Sequence, residues 1–269
     1  MPVSTTRGDP SGNGDCMKSK TKEVKGRRAP SSMAEAALNS IRDKILDLSL
    51  APGMQLDESL ITTRLGISRT PAREALNRLV TEGLVENRSS RGFFVKSLEL
   101  GDVGHFFDAY VVMERAAAYF CRFSDVKLVP DLLDIQEMHE VATGQNDFLA
   151  ISYQNSRFHL RIVASTQNPY LLDASGRLHN MARRLGSFVY QNEIADPTIY
   201  SQQQAQILEE HRAIVEALRT ENRPALLDLI TSHAERFRTR IARFITLNSS
   251  VRFEMPGPPA PKATARTIQ

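Results

Sequence analysis

The sequence predicts a mainly α protein: an N-terminal winged helix-turn-helix followed by an all-helical antiparallel bundle. Three observations predict it. Apolar residues recur at helical spacing in three short segments before residue 83, each closed by turn residues. Leu84-Val85-Glu86 and Phe93-Phe94-Val95 then flank a polar, glycine-bearing stretch, the composition of a hairpin. Beyond Gly101 five or six long helical segments follow, and no strand pattern does.

The elements can be justified in order. Residues 1–31 are rich in Gly, Ser, Thr, Lys and Pro and carry Lys18, Lys20, Lys22, Lys25, Arg27 and Arg28. They read as a flexible basic arm, either following a phosphate backbone or simply solvated. In the expected winged helix (32–98), Ala37, Ile41, Ile45 and Leu48 form the first helical stripe, which Ala51-Pro52-Gly53 ends. Asp57 or Ser59 can cap a second short helix carrying Leu60, Ile61 and Leu65, and Gly66 permits the tight turn after it. Ser68 and Thr70 offer cap oxygens to a third helix, Pro71 suits its first position, and Ala75, Leu76, Leu79 and Val80 give its buried stripe before Gly83. The bundle (101–248) reads as helices near 102–122, 125–143, 147–165, 169–192, 201–220 and 223–247, with prolines at 130, 169, 197 and 224 bearing on their edges. Pro256-Gly257-Pro258-Pro259 lies in a tail (249–269) that cannot hold a helix.

Composition narrows the function. With 41% hydrophobic and 24% charged residues in 269, the chain can bury one large core or two modest ones. No apolar run approaches the ~20 residues of a membrane helix. The polar start Met1-Pro2-Val3-Ser4 has no apolar signal region. A cytoplasmic protein with no membrane partner is the expectation, and two cysteines, Cys16 and Cys121, suit a reducing interior. Residues 1–100 carry 16 Lys/Arg against 12 Asp/Glu, whereas the rest carry 18 against 19, so the front is the basic half.

In a helix-turn-helix the second helix enters the major groove. Leu60, Leu65, Ile67, Leu76 and Leu79 are expected to fix the angle between the two helices. With Leu76 and Leu79 inward, Arg69, Thr70, Arg73 and Asn77 face outward. An arginine can pair twice with guanine, and the hydroxyls of Ser68 and Thr70 suit phosphate. Arg91 and Gly92 form the hairpin tip, within reach of the minor groove; Arg78 and Arg88 are either readers or solvated.

The stretches Ala51-Pro52-Gly53-Met54-Gln55-Leu56-Asp57-Glu58, Leu65-Gly66-Ile67-Ser68-Arg69-Thr70-Pro71-Ala72-Arg73-Glu74-Ala75-Leu76 and Glu82-Gly83-Leu84-Val85 resemble the DNA-binding domain of GntR-type bacterial transcription regulators. The resemblance implies base contacts by Arg69 and Arg73, backbone contacts by Ser68 and Thr70, and close approach of Gly92 to the minor groove. It also implies a homodimer on double-stranded DNA with a pseudo-palindromic operator, acting as a repressor. A position that can hold a base-reading arginine in that family is Ser59 here, so operator preference should differ at that point.

Met113-Glu114-Arg115-Ala116-Ala117-Ala118, Asn155-Ser156-Arg157-Phe158-His159, Glu210-His211-Arg212-Ala213-Ile214 and His233 resemble the FadR-type effector domain of the same family, termed FCD. Asn155 and His159 share a helix face at i,i+4, and His211 and His233 lie on two later helices. Three imidazoles make an N-rich site fit for Zn, Ni or Mn. The resemblance places Asp, His, His, His at Asn155, His159, His211 and His233. Asn155 departs from it, and an amide oxygen coordinates more weakly than a carboxylate. Buried histidines bonded to one another are the alternative. His179 is a rival fourth donor, while His105 and His139 read as ordinary surface or core residues.

The resemblance implies a small organic acid as effector. Tyr110, Arg115, Tyr153, Asn180 and Arg184 are candidate effector residues, with Arg115, Arg183 or Arg184 supplying the charge. No His-Glu-x-x-His pair or flanking base other than Glu210 accompanies the histidines, so an enzyme is not expected. Two rival readings are a bundle that only dimerises and a metalloenzyme fused to a DNA reader.

Overall fold

The computed structural model describes residues 32–98 and 100–247. The proposed basic arm and C-terminal tail, with Cys16, lie outside the described residues, as do the side chains of Leu60 and Leu65. The elements run α1 (Ser32–Leu46), β1 (Gln55–Leu56), α2 (Glu58–Leu65), α3 (Arg69–Thr81), β2 (Val85–Arg88), β3 (Gly92–Val95), α4 (Leu100–Phe120), α5 (Leu128–Gly144), α6 (Phe148–Ser165), α7 (Pro169–Glu193), α8 (Pro197–Arg219) and α9 (Arg223–Leu247). The fold is mainly α, a winged helix-turn-helix followed by a helical bundle.

Capping decides where most helices begin. Asp57, not Ser59, caps α2 and accepts from the Ser59 N–H, and Gly66 ends the helix at φ 63°. Ser68 is the N-cap of α3 without a side-chain bond to it, so Pro71 stands at the third helical position. The first-turn N–H groups have no partner within a helix, which is why the proline is tolerated there. The same reason lets Pro130 sit inside α5. The bundle uses an Asx-Pro start twice. Asn168 Oδ1 accepts from Tyr170 N and Leu171 N ahead of Pro169, and Asp196 Oδ1 accepts from Thr198 N and Ile199 N ahead of Pro197. This second start moves α8 four residues earlier than periodicity suggested. Asn168→Ala should cost about 1 kcal/mol, seen as a lower urea midpoint at unchanged slope.

Pairing of β1 with β3 completes a three-stranded sheet in the order β1-β3-β2, with Gln55 opposite Phe94 and Val85 opposite Val95. Leu38, Ile41 and Ile45 of α1, Leu76 and Leu79 of α3, and Phe93 and Val95 of β3 form one apolar cluster. Ile67 packs against it only partly buried. Arg42 closes α1 onto the end of α3 through two bonds to the Glu82 carboxylate, at 2.9 and 2.7 Å.

Among the described residues the bundle core falls into three clusters. One of them, built on Phe107 of α4, Val189 of α7 and Ile241 of α9, also contains Leu48 and Leu98, which follow α1 and β3. The winged helix is therefore seated on the bundle by apolar contact at its own ends. No described helix is long and apolar enough to cross a membrane.

Candidate functional site

Two separate places carry chemistry. The first is the outer face of α3, where Arg69, Thr70, Arg73 and Asn77 line a broad open cleft with Glu58, Glu74, Arg78 and Thr81. Ser68, Arg69, Thr70, Arg73 and Asn77 are all exposed, while Ala72, Ala75, Leu76 and Leu79 are buried on the opposite face. Arg73 is held loosely by Glu58, at 3.7 Å. Arg78 is tied at 2.6 Å to Glu35 of α1, which braces α3 rather than leaving a guanidinium free. At the wing tip Arg91 and Gly92 are exposed, and the Arg91 carbonyl accepts from Gln55 Nε2 at 2.9 Å. Gly92 has φ +85° with no atom within 4 Å of where a Cβ would stand, so its requirement there is conformational. Arg88 stays in the wing, stacked 4.4 Å above the Phe94 ring and bonded to Glu86.

The second place is the centre of the bundle. His159 of α6, His211 of α8 and His233 of α9 converge, each offering a ring nitrogen within 4.8 Å of the others. His159 Nδ1 lies 2.6 Å from Glu114 Oε2, and His233 Nδ1 lies 2.6 Å from Glu210 Oε2. A carboxylate accepts, so both Nδ1 atoms carry hydrogen. His211 Nδ1 lies 3.1 Å from Gln136 Oε1, and the Gln136 amide is oriented by donating from Nε2 to the Leu208 carbonyl at 3.1 Å. That orientation makes Oε1 the acceptor and puts hydrogen on His211 Nδ1 as well.

The consequence is that all three Nε2 atoms present lone pairs inward. Those of His159 and His233 are 3.2 Å apart, and that of His211 is buried without a partner among the described residues. Two facing lone pairs at that distance repel unless a proton or cation lies between them. Nitrogens bound at ~2.1 Å to a tetrahedral ion stand about 3.4 Å apart, close to the spacing here. The donor set therefore fits a divalent transition ion, with each imidazole backed by an oxygen.

Charge at this centre is arranged accordingly. Burial pushes the Glu114 carboxyl up, but His159 and His179 more than offset it and hold it below the usual carboxylate range. Burial likewise raises Glu210, and His233 with Arg236 brings it net lower. His211 is pushed well below the usual imidazole range by burial and by the neighbouring histidines, so it is neutral. Burial, then His233 and His159, pushes His139 down to about 4.

Beside His233 lies a partly enclosed cavity of about 50 Å³. Tyr110, Asn155, His179, Arg183, Gly186 and Arg236 are among its lining residues, together with His233 and Glu210. Of the residues singled out in the sequence for the effector, Tyr110 and Arg183 line it. Arg115 is exposed and donates to Thr231 Oγ1 at 2.7 Å, and Tyr153 is exposed with Arg157 and Arg183 stacked on its ring. Asn180 and Arg184 point away from the cavity, donating to the carbonyls of Glu82 and Lys96 in the winged helix. Asn155 lines the cavity one helical turn before His159, and His179 joins the cluster by donating to Glu114 Oε1 at 3.0 Å rather than as a member of the three-nitrogen group.

The part that several residues play at this centre was not read from the sequence. Glu114 stands in a segment quoted for its likeness, and Glu210 was noted only as a base flanking His211, whereas it backs His233 of α9. Gln136 gives no signal of either kind. His139, expected to be ordinary, is fully buried 5.5 Å from the His211 ring with neither nitrogen bonded among the described residues.

Residues 33–95 match the model of the bacterial regulatory proteins of the gntR family, and residues 105–236 match the FCD domain. The Nta operon transcriptional regulator of Aminobacter aminovorans is 33% identical over 126 residues, which is 45% of this chain and 58% of that protein, so the match spans little more than half of the relative. The gluconate operon transcriptional repressor of Bacillus licheniformis is 28% identical over 188 residues, 70% of this chain and 76% of that one. A GntR transcriptional regulator from Rhodococcus sp. RHA1 superposes with a TM-score of 0.63 over 79% of this chain and 99% of its own, and at 22% identity this likeness is one of fold.

Proposed function

This chain belongs to the GntR family of bacterial regulatory proteins with an FCD domain, a DNA-binding transcriptional regulator rather than an enzyme, and on that premise we propose that it is a repressor whose bundle senses a small organic acid beside a divalent metal ion. The observation that carries this reading is the polar centre of the bundle. The three-nitrogen cluster meets, through His233, a cavity whose wall includes Arg183, which no carboxylate pairs with among the described residues. A bundle that only dimerised would fill this space with apolar side chains.

His159, His211 and His233 would hold the ion, with Asn155 as the weak fourth contact. Bound there, the ion supplies positive charge and open positions for a carboxylate. Glu114, Glu210 and Gln136 fix the imidazole tautomers, and Arg183 adds charge from the cavity wall. Tyr110 and Arg183 are the effector contacts retained from the sequence reading; Arg236 replaces Arg115, Tyr153, Asn180 and Arg184 in that role.

On DNA, the outer face of α3 is proposed to read bases through Arg69, Arg73 and Asn77, with Ser68 and Thr70 on phosphate and Arg91 and Gly92 at the minor groove. Repression is supported by the likeness to a gluconate operon repressor. The protein is proposed to act in the cytoplasm as a homodimer on a two-fold operator. Sedimentation without DNA should give a dimer, and footprinting should show two half-sites one helical turn apart, about 34–36 Å, or a multiple of it. A monomer protecting a single half-site would refute the dimeric reading.

A further inference from the structure

Helix α7 meets the cavity and the winged helix on two different faces. At about 100° per residue, His179, Ala182, Arg183, Gly186 and Tyr190 fall on one side of the helix, and all five line the cavity. Asn180, Arg184 and Gln191 fall together roughly a third of a turn further round. Each of these three donates to a main-chain carbonyl just past the end of a winged-helix element. Asn180 Nδ2 reaches Glu82 O after α3 at 3.2 Å, Arg184 Nη2 reaches Lys96 O after β3 at 2.7 Å, and Gln191 Nε2 reaches Asp47 O after α1 at 3.0 Å. One helix of the bundle thus grips the reading helix, the wing and the first helix at once.

The grip is also poorly satisfied. Arg184 is 1% exposed, no carboxylate among the described residues pairs with it, and its Nε has no acceptor there. Burial lowers its pKa to about 10. The Ser187 hydroxyl on the same helix is buried without a partner among the described residues too. A buried cation held by one carbonyl is costly to dock. An interface of this kind lies nearer the balance between docked and displaced than an apolar seam does.

We infer that α7 is the element through which the cavity sets the placement of the winged helix, with Asn180, Arg184 and Gln191 as a releasable clamp. This rests on the reading of the cavity as an effector site. A molecule seated against Arg183 or Gly186 bears on α7, and packed helices shift as units. Hydrogen bonds are lost beyond ~3.5 Å, so a displacement of about 1 Å along or around the helix axis exchanges all three for water. Because the carbonyls terminate α1, α3 and β3, their release loosens the reading head as a body, leaving it on the apolar seat of Leu48 and Leu98 with its own core intact.

The test uses the full-length chain without DNA and follows amide hydrogen exchange in segments 47–50, 82–85 and 96–98. Gly186→Leu fills the cavity from α7 itself. Gly186→Ala, whose methyl would stand 3.5 Å from Tyr190 Cε2, is an ordinary contact that keeps the fold and pushes in the same direction less strongly. Gly186→Leu should speed exchange about tenfold in all three segments, as should the clamp variant Asn180→Ala/Arg184→Met/Gln191→Ala. Adding Gly186→Leu to the clamp variant should then produce no further change. A full response of the three segments to Gly186→Leu in the clamp variant would overturn the inference, as would wild-type exchange in both folded Gly186 variants. Zn²⁺ alone is the second probe. Uptake that changes exchange in the three segments supports the coupling. If Zn²⁺ is not taken up while the Gly186 variants still act, the metal reading fails and the coupling stands.

Discussion

Arg73→Ala is expected to remove about 1–3 kcal/mol of discrimination at one base pair, a loss of roughly 5- to 150-fold, and Arg69→Ala the same at another. The expectation follows from how α3 is built. Its buried stripe of Ala72, Ala75, Leu76 and Leu79 fixes which side faces out, and Arg69 and Arg73 are one turn apart on that side, near the helix N-terminus. Arg73 is 69% exposed, and its contact with Glu58 at 3.7 Å is too long and too wet to cost much when broken for a base. A bidentate pair with guanine is therefore gained at little expense within the protein. Arg78 serves as the internal comparison. Its pairing with Glu35 holds α1 to α3, so Arg78→Ala should alter stability more than sequence preference. Arg91→Ala, at the wing tip, should weaken binding to all sequences alike and lower the salt dependence. Selection of bound sites from a random pool by each variant separates these outcomes, and unchanged preference after Arg73→Ala would sink the assignment.

The helix-turn-helix was legible because its punctuation is local. Asp57, Gly66 and Ser68 act within a turn of their own position, so the sequence displays them directly, whereas the start of α8 at Pro197 was read four residues late. Strand β1 was not legible, since two residues carry no periodicity and Gln55 and Leu56 become a strand only by pairing with β3. The histidines were found through the family resemblance and the i,i+4 spacing of Asn155 and His159, but the roles of their backing groups were not. Glu114, Gln136 and Glu210 reach the cluster from α4, α5 and α8, and which residues share a centre is a property of packing. The effector residues on α7 show the same limit more sharply. Asn180 and Arg184 are each one position beyond His179 and Arg183, and that single step of about 100° turns a side chain from the cavity to the winged helix. Only the position of the second domain decides between them.

Asn155→Asp should tighten divalent-metal binding, and His211→Ala should loosen it by at least tenfold. Each imidazole of the trio is already set for coordination, because Glu114, Gln136 and Glu210 hold hydrogen on Nδ1 and leave Nε2 bare. His211 contributes the most exposed deficit, a buried nitrogen with no partner among the described residues, so its removal deletes a ligand without disturbing the bonds of the other two. Asn155 lies one turn before His159 and borders the cavity, where a carboxylate would bring a charged oxygen and offset part of the ion's charge. The cost of that carboxylate is carried by the site itself, since an aspartate there without metal would share the cavity wall with Glu210. Asn155→Asp should accordingly be less stable than the natural chain when metal-free and regain the difference on loading, whereas His211→Ala should gain little from loading. Calorimetric titration of stripped protein with Zn²⁺, paired with thermal unfolding before and after loading, measures both effects. Neither substitution should change which operator is selected, because Arg69 and Arg73 stand in the other domain. Equal and negligible uptake by the natural chain and His211→Ala would make the three histidines structural and leave sensing to the arginines of the cavity wall.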